Sequence, residues 1–172
     1  MRARDSSQTL APDAFAPDTL DFIRLLSRHG VRYLLVGGEA VIFYGHVRLT
    51  GDVDFFYDRR EENVRRLHAA LDEFWSGEVP GIDSFRDLTR EGLIIQYGLP
   101  PNRIDLLNRI DGVSFDRAWA GRVTAEIDAE GGRIPLQYIG LEDLVANKQA
   151  TARPKDLADL RFLTARGDDD GE

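Results

Sequence analysis

The chain has 172 residues, 42% of them apolar and 30% charged, with a formal net charge of −8. That length suits one domain with a core of its own, and the apolar content excludes a wholly disordered chain. Cysteine is absent, which rules out disulfides and thiolate metal sites, and the acidity argues against an evenly basic nucleic-acid surface. The lack of cysteine fits a reducing cytoplasm. The N-terminus has no long apolar run, so neither a signal peptide nor a membrane span is expected.

Residues 1–17 carry Ser, Gln, Asp and prolines without periodicity and read as a flexible leader. Asp18 suits a helix N-cap. Leu20, Phe22, Ile23, Leu25 and Leu26 then form a helical apolar face, and Gly30 suits its stop. Val31 to Val36 reads as a strand buried on both faces. Gly37 and Gly38 break it, and Glu39 to Tyr44 resumes as a short helix. Val53 to Tyr57 is a second strand, with Asp52 and Asp54 at its start. Glu61 to Trp75 is the clearest helix, with Val64, Leu67, Leu71 and Phe74 on one side. Gly77 to Gly92 is rich in Gly, Pro and Asp and reads as a loop.

Leu93 to Tyr97 and Arg103 to Leu107 read as strands around Gly98–Asn102. Phe115 to Gly121 suits a short helix. Val123 to Ile127 and Arg133 to Ile139 suit a hairpin around Asp128–Gly132. Leu141 to Ala150 is a helix capped near Gly140, and Pro154 suits the first turn of a last helix. Residues 166–172 read as a solvated acidic tail. The whole predicts one domain over 18–165, of α/β (α+β) class, with helices packed on a mixed sheet.

The chemistry concentrates between Gly37 and Asp54. Asp52 and Asp54 stand two apart, so on a strand both side chains leave the same face. Two carboxylates there repel each other unless a cation sits between them. Gly37 and Gly38 end a strand and open a helix whose first N–H groups are free to meet an anion. Asp105 lies in Arg103-Ile104-Asp105-Leu106-Leu107, where a charge centred in an apolar strand needs a reason. It is either a third carboxylate of the same site or a surface residue alternating outward with Arg103.

Arg48 either contacts phosphate or pairs with Glu39 or Asp52. Glu39, an acid at the helix start, competes with phosphate unless it turns away or Arg48 neutralises it. His46 reads as a loop residue near the site, and Arg153 and Lys155 as a solvated helix face. Two common motifs fail. A calcium loop would need a ligand where Phe56 stands, and the glycines do not make the dinucleotide G-x-G-x-x-G.

Gly37-Gly38, thirteen residues, then Asp52-Val53-Asp54-Phe55 resembles the signature of the nucleotidyltransferase superfamily related to DNA polymerase β. Gly-Gly-x-Ala, Arg48-x-Thr50 and the segment of Lys148 are similar to small bacterial nucleotidyltransferase-like proteins related to AbiEii toxins. The resemblance implies a nucleotidyltransferase-like fold. It implies transfer of NMP from an NTP to an acceptor hydroxyl on RNA, protein or a small molecule, with Mg²⁺ or Mn²⁺. Asp52, Asp54 and Asp105 would bind the metal and carry catalysis. Gly37, Gly38, Arg48, Thr50 and Lys148 would hold the nucleotide. It also implies a toxin–antitoxin or phage-defence setting with a cognate toxin or antitoxin partner. Two alternatives stay open. One is a non-catalytic relative that binds nucleotide or a partner, such as an antitoxin. The other is a structural domain in which Asp52 and Asp54 pair with Arg48 and Arg103.

Overall fold

The computed structural model describes residues 8–169, with side chains described as far as residue 165. Seven strands form one mixed sheet: β1 (Thr9–Leu10), β2 (Tyr33–Val36), β3 (Asp52–Tyr57), β4 (Ile94–Tyr97), β5 (Arg103–Leu107), β6 (Val123–Ala129) and β7 (Gly132–Tyr138). Their order is β1-β6-β7-β2-β3-β5-β4. The helices are α1 (Pro17–Arg28), α2 (Gly37–Phe43), α3 (Glu61–Phe74), α4 (Phe115–Ala120), α5 (Leu141–Thr151) and α6 (Pro154–Asp169). This is the expected α+β class, with a mixed sheet and helices packed on it.

β3 divides the molecule. Its side chains alternate between the two faces. On one face lies Phe55, met edge-on by Phe22 of α1, with ring centroids 5.2 Å apart. Phe74 of α3 closes on Phe22 at 5.3 Å. Val64, Leu67 and Leu71, the apolar side of α3, are buried there too. Each such side chain contributes about 1.5–3 kcal/mol on leaving water. On the other face lie Asp52, Asp54 and Phe56. Phe56 packs against Phe115 of α4 at 5.1 Å. The α5–α6 pair borders a cleft on that face.

β3 and β5 run parallel, and β2 lies antiparallel on the other side of β3. The Asp54 position is therefore flanked by Val36 on β2 and by Asp105 on β5. β6 and β7 form the expected hairpin, whose ladder runs from Val123↔Tyr138 to Ala129↔Gly132.

Several local features depart from the sequence pattern. The stretch expected as a flexible leader carries β1, which pairs in parallel with β6, and Phe15 is buried in the core. A two-residue strand has too little periodicity to read, and it is held by its neighbour rather than by its own propensity. Residues 1–7 of that leader lie outside the described residues. Asp18 is not the N-cap of α1: the helix begins at Pro17, whose fixed φ suits the first turn, and Asp18 falls inside that turn, where its charge complements the dipole. α6 continues to Asp169, so helical backbone enters the expected acidic tail; residues 170–172 lie outside the described residues.

Candidate active site

The site begins with the β3–β5 ladder. Parallel pairing in register sets Asp54 beside Asp105, and the two-residue period brings Asp52 to the same face. One carboxylate oxygen from each of Asp52, Asp54 and Asp105 can be chosen so that all lie within 4.8 Å of one another. Arg103, two residues before Asp105, shares their face. Its Nε donates to Asp105 Oδ1 at 2.7 Å and its Nη2 to Asp52 Oδ2 at 2.8 Å. Gln96 of β4 donates to Asp105 Oδ2 at 3.2 Å. Asp105 is buried and does not point to bulk solvent.

One guanidinium does not balance three carboxylates, and the surplus falls on Asp54. Burial first, then the negative charges of Asp52 and Asp105, push its carboxyl up to about 7. Lys155 and Arg103 act in the opposite direction without cancelling this. The donor set is all oxygen, from hard carboxylates, as Mg²⁺ or Mn²⁺ prefers. The three residues therefore fit a divalent cation both in number and in unbalanced charge.

Gly37 makes room for this cluster. Its φ is +64°, in the left-handed region, and a Cβ there would overlap the Asp54 carboxylate. Gly38 is enclosed on another side. A Cβ on it would lie 2.7 Å from Thr50 Oγ1 and 3.0 Å from the Arg48 guanidinium. Thr50 donates to Asp52, with Oγ1 3.1 Å from the backbone oxygen and 3.3 Å from Oδ1. The glycines thus stand where the carboxylate cluster and the loop of Arg48 and Thr50 meet. Glu39, in the first turn of α2, is pushed up to about 7 by burial, with Asp52 adding and Arg48 opposing. A neutral Glu39 does not repel an anion as its charged form would.

Arg48 lines the cleft and is paired with Asp159, not in contact with Glu39 or Asp52. Its Nη2 donates to Asp159 Oδ2 at 3.2 Å, and its Nε lies 3.2 Å from Oδ1. Lys148 joins the same cluster. It is 3% exposed, with Nζ 2.9 Å from Asp156 Oδ1 and 3.0 Å from Asp159 Oδ2. Arg153 joins it through Asp156 at 2.7 Å, with its own side chain mostly exposed to water, as the solvated reading expected. Burial works against the charge on Asp156, but hydrogen bonds from Arg153, Lys148 and Thr151 overcome it and hold that carboxyl well below the usual range. His46 sits beside the cluster, its Nε2 4.0 Å from Asp159 and its ring on Phe162.

The cleft over this face has a volume of about 770 Å³. Gly37, Gly38, Arg48, Thr50, Lys148 and the three aspartates all line it. Two other surface hollows, one at Phe56 and Phe115 and one at Trp75 and Tyr97, gather no comparable carboxylate set among the described residues. Asp156 and Asp159 were not singled out from sequence. Their i, i+3 spacing on one helix face, opposite a basic residue on the preceding helix, is the signal that could have found them.

The site can gather a hard cation at three carboxylates and an anionic, extended ligand along the rest of the cleft. A family model described as "Nucleotidyltransferase of unknown function (DUF6036)" matches residues 19–165. No curated protein matches the chain.

Proposed function

The chain belongs to this nucleotidyltransferase family, and we propose that it transfers a nucleoside monophosphate from an NTP to an acceptor hydroxyl with a divalent cation, Mg²⁺ or Mn²⁺. The convergence of Asp52, Asp54 and Asp105 on one point of the cleft carries this reading. When bound, the cation neutralises charge that develops on the transferring phosphoryl group. Asp52, Asp54 and Asp105 hold it, and Asp105 takes the acceptor's proton. Gly37 and Gly38 hold the triphosphate side of the site by leaving room for Asp54 and for Thr50 and Arg48. Arg48, Thr50 and Lys148 shape the nucleotide side of the cleft, the first and last through their buried ion pairs. Nucleotidyl transfer needs positioning and charge neutralisation more than covalent help, which is what this set of groups offers. The proposal extends to the setting that the sequence resemblance to AbiEii-type proteins implies, toxin–antitoxin or phage defence with a cognate partner protein.

The test measures thermal unfolding with Mg²⁺ or Mn²⁺ and each NTP. Ligand bound only to the folded state raises Tm by mass action. The wild type should be stabilised, and the double variant Asp52→Asn, Asp54→Asn should not. Asp105→Ala should keep most of the NTP-dependent stabilisation and lose transfer of label, because its role falls mainly in the transition state. An equal shift in wild type and the double variant would remove the site.

A further inference from the structure

We propose that Lys155 is a phosphate ligand of the site, and that the polyphosphate of the NTP lies between its ammonium group and the divalent cation. The inference rests on the transfer reading above and adds a residue to it. It starts from the cations that line the cleft, which are Arg48, Arg103, Arg109, Lys148, Arg153 and Lys155. Four of these are already engaged. Arg48 and Lys148 are held by Asp159, Lys148 and Arg153 by Asp156, and Arg103 by Asp52 and Asp105. The side chains of Lys155 and Arg109 have no hydrogen-bond or ion-pair partner among the described residues.

Asp54 separates these two. Of the cations that oppose the rise of its carboxyl, Lys155 acts most strongly and Arg103 next. Arg109 lies past the end of β5 and also opens onto the neighbouring hollow of Arg59 and Arg60. Lys155 is therefore the unengaged cation nearest in effect to the carboxylates, yet it makes no ion-pair contact with any of them. Its place is fixed by its neighbours. It stands exposed in the first turn of α6, while Asp156 beside it is buried in the ion-pair cluster with Lys148. The buried network thus anchors the backbone from which Lys155 reaches the cleft.

The gap between Lys155 and Asp54 suits an anion. Asp52 and Asp105 accept from Arg103, with Thr50 and Gln96 adding a bond each. Asp54 has no hydrogen-bond donor among the described residues, so its oxygens are left to a cation. A divalent cation on Asp54 and the ammonium of Lys155 carry like charge and repel unless an anion lies between them. A phosphate answers both, giving one oxygen to the cation and another to the ammonium. The balance of charge agrees. One divalent cation with Arg103 cancels the three aspartates and leaves nothing over for a polyphosphate. Lys148 cannot supply that charge by contact, since it is 3% exposed and committed to two aspartates. Lys155 can, as a compact ammonium with three free donors on a flexible stem.

The experiment titrates the full chain by calorimetry with Mn²⁺ alone, with the Mn²⁺ complex of each NTP, and with the Mn²⁺ complex of inorganic triphosphate. Lys155→Met removes an exposed charge that no described carboxylate pairs with, so the urea midpoint should not move. Binding of the NTP and triphosphate complexes should weaken at least about tenfold. Mn²⁺ alone should bind the variant at least as tightly as the wild type. Arg161→Met, on the same helix and outside the cleft, should change none of these affinities. Wild-type affinity of Lys155→Met for the complexes, an equal loss in Arg161→Met, a loss confined to the NTPs, or a matching loss for Mn²⁺ alone would overturn the proposal. A wild type that binds none of the NTP complexes would instead sink the transfer reading itself, and the Lys155 assignment with it.

Discussion

Gly37 leaves space that Asp54 fills. An alanine there meets two penalties, a positive φ and overlap with the Asp54 carboxylate. Gly37→Ala should cost about 1–3 kcal/mol in urea unfolding and abolish stabilisation by Mn²⁺ and NTP. Gly81→Ala is the control. Its φ is also positive, but nothing crowds its Cβ, so it should cost stability and leave the ligand effect intact. Asp54 also sets a pH dependence. Its carboxyl is raised to about 7 in the folded chain, above the unfolded value near ~3.9. The stability it contributes is therefore fully present below ~4 and lost as pH rises through 7. Metal-free protein should be less stable at pH 8 than at pH 5.5, and Asp54→Asn should remove much of that slope. Glu39 acts with the same sign, so Glu39→Gln should remove a separate share. The effect on metal binding runs the other way, because the cation needs the carboxylate, so its affinity should rise with pH over that window. The grouping of Asp52 with Asp54 was legible in a spacing of two. The partner of Arg48 was not, because Asp159 lies 111 residues away and no local pattern couples them.

The α5–α6 pair is the element whose interior charge most shapes the cleft. Lys148 bridges two nearly inaccessible aspartates. Removing one partner of a buried ion pair leaves uncompensated charge, which costs about 3–5 kcal/mol. Here Arg48 and Arg153 remain to share the load, so Lys148→Met should cost about 2–4 kcal/mol. Arg153→Met, with its side chain mostly in water, should cost less than about 1 kcal/mol. Urea midpoints of the two variants check the difference, and equal losses would refute a buried role for Lys148. Long helices and the strands beside them were legible at this scale, since α3 and β5 carry strong periodic patterns with clear ends. β1 was not, because its existence depends on β6 rather than on its own residues. The same holds for Lys148, whose chemistry follows from helix packing and not from its neighbours in sequence.

For the molecule as a whole, bulk charge and local charge point in different directions. The chain is acidic, yet its cleft collects Arg48, Arg103, Lys148, Arg153 and Lys155 along with the aspartates. Composition could not reveal this, because it averages over faces that the sheet separates. The carboxylate triad depends on the sheet in another respect. Asp54 and Asp105 come from strands separated in sequence by α3 and β4, and they meet only when β3 and β5 pair in one particular alignment. A slip of one residue would turn Asp105 to the opposite face, among the rings of Phe22 and Phe55. A cation gripped by both strands therefore distinguishes between strand alignments as well as between folded and unfolded chains. Binding would act as a check on assembly, adding free energy to the one correctly aligned sheet and none to its misaligned competitors.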